Sequence, residues 1–290
     1  MPELPEVESL AAFLAERATG AVVANVEVFA FSALKTYDPP VTALTGRTLA
    51  ATSRHGKFID LDFSDGGDAL HLLIHLARAG WLRWRDELPR TMPKRGKGPL
   101  ALRVRFQDGA GFDVTEAGTQ RKVAAYVVRD PEEVPGVARL GPDPLAADFT
   151  VDSLRDLVGG RRTQIKGLLR DQSVIAGIGN AYSDEILHAA RMSPFRVAAT
   201  LEPEDVQRLY DATIGVLSDA VRRSAGLAAK DLKGDKKSNL AVHGRTGEAC
   251  PVCGDTVREV SFADSSLQYC PTCQTGGKVL ADRRLSRLLK

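Results

Sequence analysis

The sequence opens MPELPEVESL, an acid-rich cluster set around two prolines. If Met1 is removed, as is usual before a small residue, Pro2 gains a free secondary amine. An α-amino group has a pKa of about 7.7–8.0, so a useful fraction is neutral and nucleophilic at physiological pH. Glu3, Glu6 and Glu8 stand beside it and could supply general acid chemistry to a covalent amine nucleophile. The same residues also describe an ordinary helix start, with Pro5 in the first turn and acids near the positive end of the dipole. These residues alone leave both readings standing.

The second constellation is CPVC at 250–253 and CPTC at 270–273, which contains all four cysteines of the chain. Two C-x-x-C knuckles sixteen residues apart have the spacing by which four thiolates close a tetrahedral zinc site. Disulfides are the alternative, and they are uncommon in cytosolic proteins. A site formed by Cys250, Cys253, Cys270 and Cys273 leaves no coordination position for water, so one zinc ion is expected to fold a β-hairpin and take no part in chemistry. Zinc ribbons serve nucleic-acid and protein partners alike, and the motif leaves the partner open.

A third signal is QSVIAGIGNAYSDEILHAARMSP, residues 172–194. Its glycines do not complete a dinucleotide fingerprint, which needs a third glycine and a preceding strand. A glycine-bearing turn that delivers Asn180 and backbone N–H groups to a helix start fits a phosphate grip, or else a helix–turn–helix of the core. Lys57 stands at the head of a strand in SRHGKFIDLDF, where Gly56 permits close approach of the backbone. His71 and His75, four apart on an apolar strand, read as packed, hydrogen-bonded histidines and not as metal ligands.

These residues must be positioned by a chain of 290 residues, long enough for two domains, with 43% hydrophobic and 26% charged residues. That composition excludes a disordered or fibrous protein. No stretch approaches a membrane span, the N-terminus lacks the pattern of a secretory signal, and a cytosolic protein is expected. The net charge of +2 does not announce a polyanion, but basic residues gather at 91–98, 160–170 and 230–237. Apolar spacing predicts a helix over 5–17, then short β-rich runs through 121–128 that suggest a β-sandwich or barrel. A proline-rich stretch at 130–150 reads as a linker, helical patterns follow, and 230–238 reads as a flexible loop.

Taken together, PELPEVE, RHGKF, LGPDPL, VIAGIGNAYSDEILHAARMSP and VHGRTGEACPVCG resemble, in order and over nearly the whole chain, the formamidopyrimidine-DNA glycosylase and endonuclease VIII family of base-excision repair enzymes. PELPEVE is closer to the formamidopyrimidine branch. The resemblance implies an α+β fold: an N-terminal helix plus β-sandwich domain (1–130), a linker (131–150), a helix–two-turns–helix domain (151–240), and a zinc-finger hairpin with a tail (241–290). It implies a monomeric bifunctional glycosylase and AP lyase acting on double-stranded DNA that contains a damaged base or abasic site, working in the cytoplasm and, in a bacterium, at the nucleoid. Pro2 would attack C1′ of a flipped-out nucleoside and form a Schiff base, followed by β- and δ-elimination. The residue matching Glu3 would assist ring opening, that matching Glu6 would support the site, and Lys57 and Asn180 would grip phosphates, with Lys166 and Tyr182 facing the same backbone.

The departures from the family pattern are equally specific. HLARAG places Arg78 where a methionine usually fills the hole left by the flipped base. TEAGTQRK replaces the loop that completes the wedge, so Arg121, Lys122 or Arg78 is expected to substitute. Ser265 stands where the finger usually carries an arginine, and KDLKGDKKSNL lacks the loop pattern that closes over 8-oxoguanine. Oxidised or ring-opened purines are the expected substrates, with oxidised pyrimidines or other bulky lesions as an alternative. A DNA-damage binding protein without catalysis and a zinc ribbon that contacts proteins are the rival readings.

Overall fold

A computed structural model describes residues 1–63, 68–89, 98–117, 120–263 and 265–281. The basic run at 91–97 and residues 118–119 of the replaced loop lie outside them. The chain divides into two compact units, one of residues 1–140 and 224–233, the other of 141–223 and 234–290. The division falls inside the segment expected to be a linker, and a short return segment belongs to the first unit.

In the first unit, α1 (Leu4–Ala18) presents Val7, Leu10, Leu14 and Ala18 on one face, all buried at 1% exposure or less. Each leucine covered in this way contributes about 1.5–3 kcal/mol. The helix packs beside β2 (Ala51–His55), where the Thr52 hydroxyl donates to the Ala11 carbonyl at 2.6 Å. Antiparallel β2 pairs with β3 (Phe58–Asp62), then β4 (His71–His75), then β8 (Ala124–Val128). The second four-stranded sheet runs β1 (Val23–Val28), β6 (Leu100–Phe106), β7 (Gly111–Glu116), β5 (Gly80–Arg85). Ile59, Leu61, Leu72 and Ile74 from one sheet meet Leu82, Val104, Phe112 and Val114 from the other in a single apolar cluster with α1. Alternation of side chains along each strand produces this sandwich directly.

The return segment joins that cluster through Ala229 and Leu232. The Trp81 indole N–H donates to the Ala229 carbonyl at 2.9 Å, and the Lys233 ammonium stands 4.3 Å from the centre of the Trp81 ring. The opposite face of the β2–β8 sheet is covered by residues 131–140: Val134 and Val137 pack on Leu73 and Val128. At Gly136 any Cβ would come within 2.7 Å of the Phe58 ring. The first half of the expected linker is therefore part of the sandwich.

The second unit is mainly helical, as expected: α2 (Val151–Val158), α3 (Ile165–Arg170), α4 (Asn180–Ala189), α5 (Pro203–Ser224) as far as Arg223, and the part of α6 (Leu232–Asn239) that follows Lys233. Thr150 caps α2, its hydroxyl accepting from the Ser153 N–H at 3.2 Å. A two-stranded hairpin follows, β9 (Arg258–Ser261) with β10 (Ser266–Tyr269), and then the short α7 (Pro271–Thr275). The expectation of a flexible loop at 230–238 is corrected by α6. Glycine and aspartate lower helix propensity there, but Ser238 and Asn239 donate side-chain hydrogen bonds to carbonyls four residues back, and Lys236 stacks 4.5 Å from the Tyr182 ring. Tertiary anchoring overrides the local preference.

On the sandwich, Asp60 joins two histidines: His55 Nε2 at 3.0 Å and His71 Nδ1 at 3.0 Å. The Asp60 pKa is lowered, its burial being outweighed by those bonds, while that of His71 is raised, chiefly by the bond to Asp60. The carboxylate contribution is present above about pH 4 and lost as pH falls through the depressed Asp60 value, whereas the histidine contribution is present below about pH 6.5 and lost as pH rises through the elevated His71 value. Asp60→Asn is expected to destabilise the protein by about 1–2 kcal/mol at about pH 5.5 and by less at about pH 9. Denaturant melts at the two pH values measure this, and equal losses at both would refute the charged pair.

Candidate active site and zinc centre

Pro2 is buried immediately before α1, and Glu3 and Glu6 are also buried, at 2% and 3% exposure. The Glu3 N–H donates to Glu6 Oε2 at 2.8 Å, so the peptide that follows Pro2 is fixed by a carboxylate one turn along. Leu4 and Val7, both fully buried, pin this first turn to the core. Partly exposed Glu8 pairs with Arg54 Nε at 2.8 Å, and Arg54 also donates to the Gly56 carbonyl at 3.3 Å. Gly56 lies in the left-handed region (φ 56°), which makes the tight β2–β3 turn possible. Arg54 thereby ties the helix that follows Pro2 to the turn that carries Lys57.

Lys57 is buried at 8% exposure. Its neighbour Phe58 faces His75 across the sheet, with ring centres 4.8 Å apart. Burial, with the positive charge of Lys57 beside it, pushes the His75 pKa down to about 4. A neutral imidazole therefore accompanies Lys57 at physiological pH. Sequence reasoning assigned His75 to packing alone; the signal it carried was the strand register that sets it against the Lys57 turn.

The wedge candidates occupy two turns of the same unit. Leu76–Gly80 closes through the Gly80 N–H on the Leu76 carbonyl at 2.9 Å, and a Cβ on Gly80 would come within 2.1 Å of that carbonyl. Ala77 adopts φ 52°, a left-handed conformation that costs about 1–2 kcal/mol for a residue with a side chain, and Arg78 next to it is exposed. Arg121 and Lys122 are exposed as well. Their loop is drawn in by the Glu116 carboxylate, which accepts from the N–H groups of Lys122 (2.7 Å) and Val123 (3.2 Å), while Arg121 donates to the Gly98 carbonyl at 2.7 Å.

In the second unit, Gln172 braces the segment between α3 and α4: its amide donates to the carbonyls of Arg170 and Ile178, and its oxygen accepts from the Gly177 N–H at 3.0 Å. That brace sets the start of α4, where Asn180 Nδ2 donates to the Ser266 carbonyl at 2.8 Å. Tyr182 is buried at 4% exposure under Lys236. Lys166, expected to face a DNA backbone, has partners of its own within the protein. Its amine is buried and bonds to Asp184 Oδ1 (2.6 Å), the Ser183 hydroxyl (2.7 Å) and the Asn180 carbonyl (3.2 Å). Asp184, whose side chain is 0% exposed, also accepts from His243 Nδ1 at 2.7 Å and the Gln268 N–H at 3.2 Å. Glu185 accepts from three successive amides, Ala241, Val242 and His243, at 2.6–3.0 Å. Burial still raises its pKa against those bonds.

The four cysteines converge as their spacing predicted, with all sulfurs within 4.8 Å of one another and the pairs Cys250–Cys273 and Cys253–Cys270 at 3.9 and 3.3 Å. They are free thiols. Four Zn–S bonds of about 2.3 Å place sulfurs roughly 3.8 Å apart, so this cradle fits one structural zinc ion. Ser265, at the hairpin turn, accepts the Phe262 N–H through its carbonyl at 2.7 Å.

Removing one partner of a buried ion pair costs about 3–5 kcal/mol, and Lys166→Gln is expected to destabilise the second unit by that amount. Hydrogen exchange at α3, α4 and β10 checks it. Unchanged protection together with weakened DNA binding would instead return Lys166 to the phosphate-gripping set.

Comparison with known proteins places these features. Residues 1–123 match the family profile for the formamidopyrimidine-DNA glycosylase N-terminal domain, 140–231 that for the formamidopyrimidine-DNA glycosylase H2TH domain, and 247–276 that for the zinc finger found in FPG and IleRS. The formamidopyrimidine-DNA glycosylase of Symbiobacterium thermophilum is 36% identical over 98% of this chain and 93% of its own length. An uncharacterized formamidopyrimidine-DNA glycosylase-like protein of Mycobacterium tuberculosis is 64% identical over 52% of this chain and 94% of its own length. Among solved structures, the Lactococcus lactis enzyme non-covalently bound to DNA containing an AP site has a TM-score of 0.80 at 26% identity, covering 94% of this chain and 99% of that one. MutM in complex with DNA containing carbocyclic 8-oxo-G has a TM-score of 0.82 at 26% identity, covering 94% and 100%. The order of the three domains, the full-length likeness and the four-cysteine cradle agree, and the chain belongs to the formamidopyrimidine-DNA glycosylase family.

Proposed function

We propose that this protein is a DNA glycosylase and AP lyase of base-excision repair, acting on oxidised or ring-opened purines in double-stranded DNA. The observation that carries the reading is the N-terminal cluster: Pro2 followed directly by buried Glu3 and Glu6, with the Glu3 amide fixed on the Glu6 carboxylate. Removal of Met1 converts the Pro2 nitrogen from an amide into a secondary amine.

That nitrogen attacks C1′ of the damaged nucleoside, the C1′–base bond breaks, and the base leaves with a proton. Glu3 assists opening of the sugar ring by proton transfer, and the product is a protein–sugar iminium ion. The iminium withdraws electrons from C2′, so loss of a C2′ proton expels the 3′ phosphate, and loss of a C4′ proton from the conjugated iminium then expels the 5′ phosphate. Glu6 holds the backbone that presents the amine. Lys57, with neutral His75 beside it, and Asn180 are assigned to the flanking phosphates, which position the strand without reading its sequence. Arg78, Arg121 and Lys122 are assigned to the space vacated by the flipped base, the step that costs a few kcal/mol of stacking and pairing. Tyr182 supports the Asn180 turn, and Lys166 holds Asp184. The zinc ion is structural, and no step passes through it. On this reading the protein works on chromosomal DNA, in a bacterium at the nucleoid.

Oxidised pyrimidines are the second reading, favoured by Arg78 in place of the usual methionine and by α6 in place of a lesion-closing loop.

Borohydride is expected to trap a covalent adduct with abasic-site DNA, and mass spectrometry to find it on Pro2; no adduct, or one undiminished when the N-terminus is blocked, would leave only a damage-binding protein. A panel of oligonucleotides with single lesions then separates purine from pyrimidine substrates. Lys57→Gln is expected to weaken DNA binding for all sequences and to reduce the salt slope of log K by about 1. An unchanged slope would remove Lys57 from the phosphate contacts.

A further inference from the structure

Asn180, Asp184 and His188 are spaced four apart on α4 and so form one stripe on the helix. Each reaches a different part of the finger. Asn180 donates to the Ser266 carbonyl at the start of β10, Asp184 accepts from the Gln268 N–H inside β10, and His188 Nε2 lies 3.3 Å from Cys250 Sγ. The first two contacts fix the hairpin; the third touches a metal ligand. His188 is 5% exposed and Cys250 is 2% exposed, so the N···S contact is shielded from water. Nothing about C-x-x-C spacing requires a histidine there.

We propose that His188 is a positioning residue for the zinc centre, donating its Nε2–H to the thiolate of Cys250. The chemistry fixes the direction of the bond. A zinc-bound cysteine sulfur carries no proton, so the imidazole nitrogen that faces it must supply the hydrogen. Four thiolates give a zinc ion more negative charge than it can balance, and a donor aimed at one sulfur withdraws part of that excess. A hydrogen bond in a water-poor setting is also stronger than the same bond at the surface. The consequence is a sulfur less open to protonation and oxidation, and a metal that leaves more slowly. Because Asn180 begins the helix on which His188 sits two turns later, the same contact holds the metal-bound knuckle to the helix that presents Asn180.

The test uses the full-length zinc protein and a chromophoric chelator at fixed pH. His188→Phe keeps the volume and removes the donor; His188→Gln keeps a donor of similar reach. Partners of metal ligands that hydrogen-bond in this way typically contribute 10- to 100-fold to metal affinity, so His188→Phe is expected to release zinc about 10-fold faster or more, with His188→Gln close to the parent. In cobalt-substituted protein, His188→Phe is expected to move the thiolate-to-metal charge-transfer band to longer wavelength, a change that packing alone does not produce. Zinc release unchanged in His188→Phe, or equally accelerated in both variants, would overturn the proposal. Nitrogen-15 NMR of the unsubstituted zinc protein provides a reading that no folding defect can obscure: the Nε2–H tautomer of His188 is expected, and the Nδ1–H tautomer would overturn the proposal.

Discussion

A carboxylate removed from water must be surrounded by donors, because leaving it unpaired costs more than most single contacts can return. This chain meets that constraint repeatedly, and each time the carboxylate is where two parts of a unit are joined. Glu6 accepts the Glu3 amide and sets the peptide after Pro2; Glu116 accepts two amides and draws in the loop bearing Arg121 and Lys122. Asp184 gathers Lys166, His243 and the Gln268 amide, and Glu185 gathers three amides of the segment leading into the finger. Apolar burial gives each unit its bulk, but these acids decide which loop lies where. They turn nonspecific collapse into a defined arrangement of chemical groups.

The same constraint separates enclosed parts of the candidate site from exposed ones. Pro2, Glu3 and Glu6 are enclosed, with the Glu3 amide held on the Glu6 carboxylate, the preorganisation that the proposed nucleophile needs. Arg78, Arg121 and Lys122 stand exposed at the surface, Arg121 with its guanidinium on the Gly98 carbonyl. The residues proposed for chemistry and those proposed for the vacated base position thus differ in burial.

Much of this was legible in the sequence because local chemistry and spacing determined it. The period of Val7, Leu10 and Leu14 marked α1, the two C-x-x-C knuckles marked the metal cradle, and the glycine-bearing turn before Asn180 marked the start of α4. What escaped was set by partners distant in sequence. Nothing near Lys166 tells that its charge is answered by Asp184, eighteen residues on. Nor does KDLKGDKKSNL reveal that its first apolar residue, Leu232, is buried and that its lysines lie over aromatic rings, the interactions that make a helix of a glycine-bearing segment. The return of 224–233 to the first unit is likewise invisible without Trp81 to receive it.

Trp81 has one more consequence. The chain has two tryptophans, and both lie on β5, Trp81 hydrogen-bonded to Ala229 and Trp84 packed against the same cluster. The indole emission of this protein is therefore a private optical channel of the sandwich. Fluorescence thus reports on the first unit, whereas metal content reports on the four-cysteine cradle of the second.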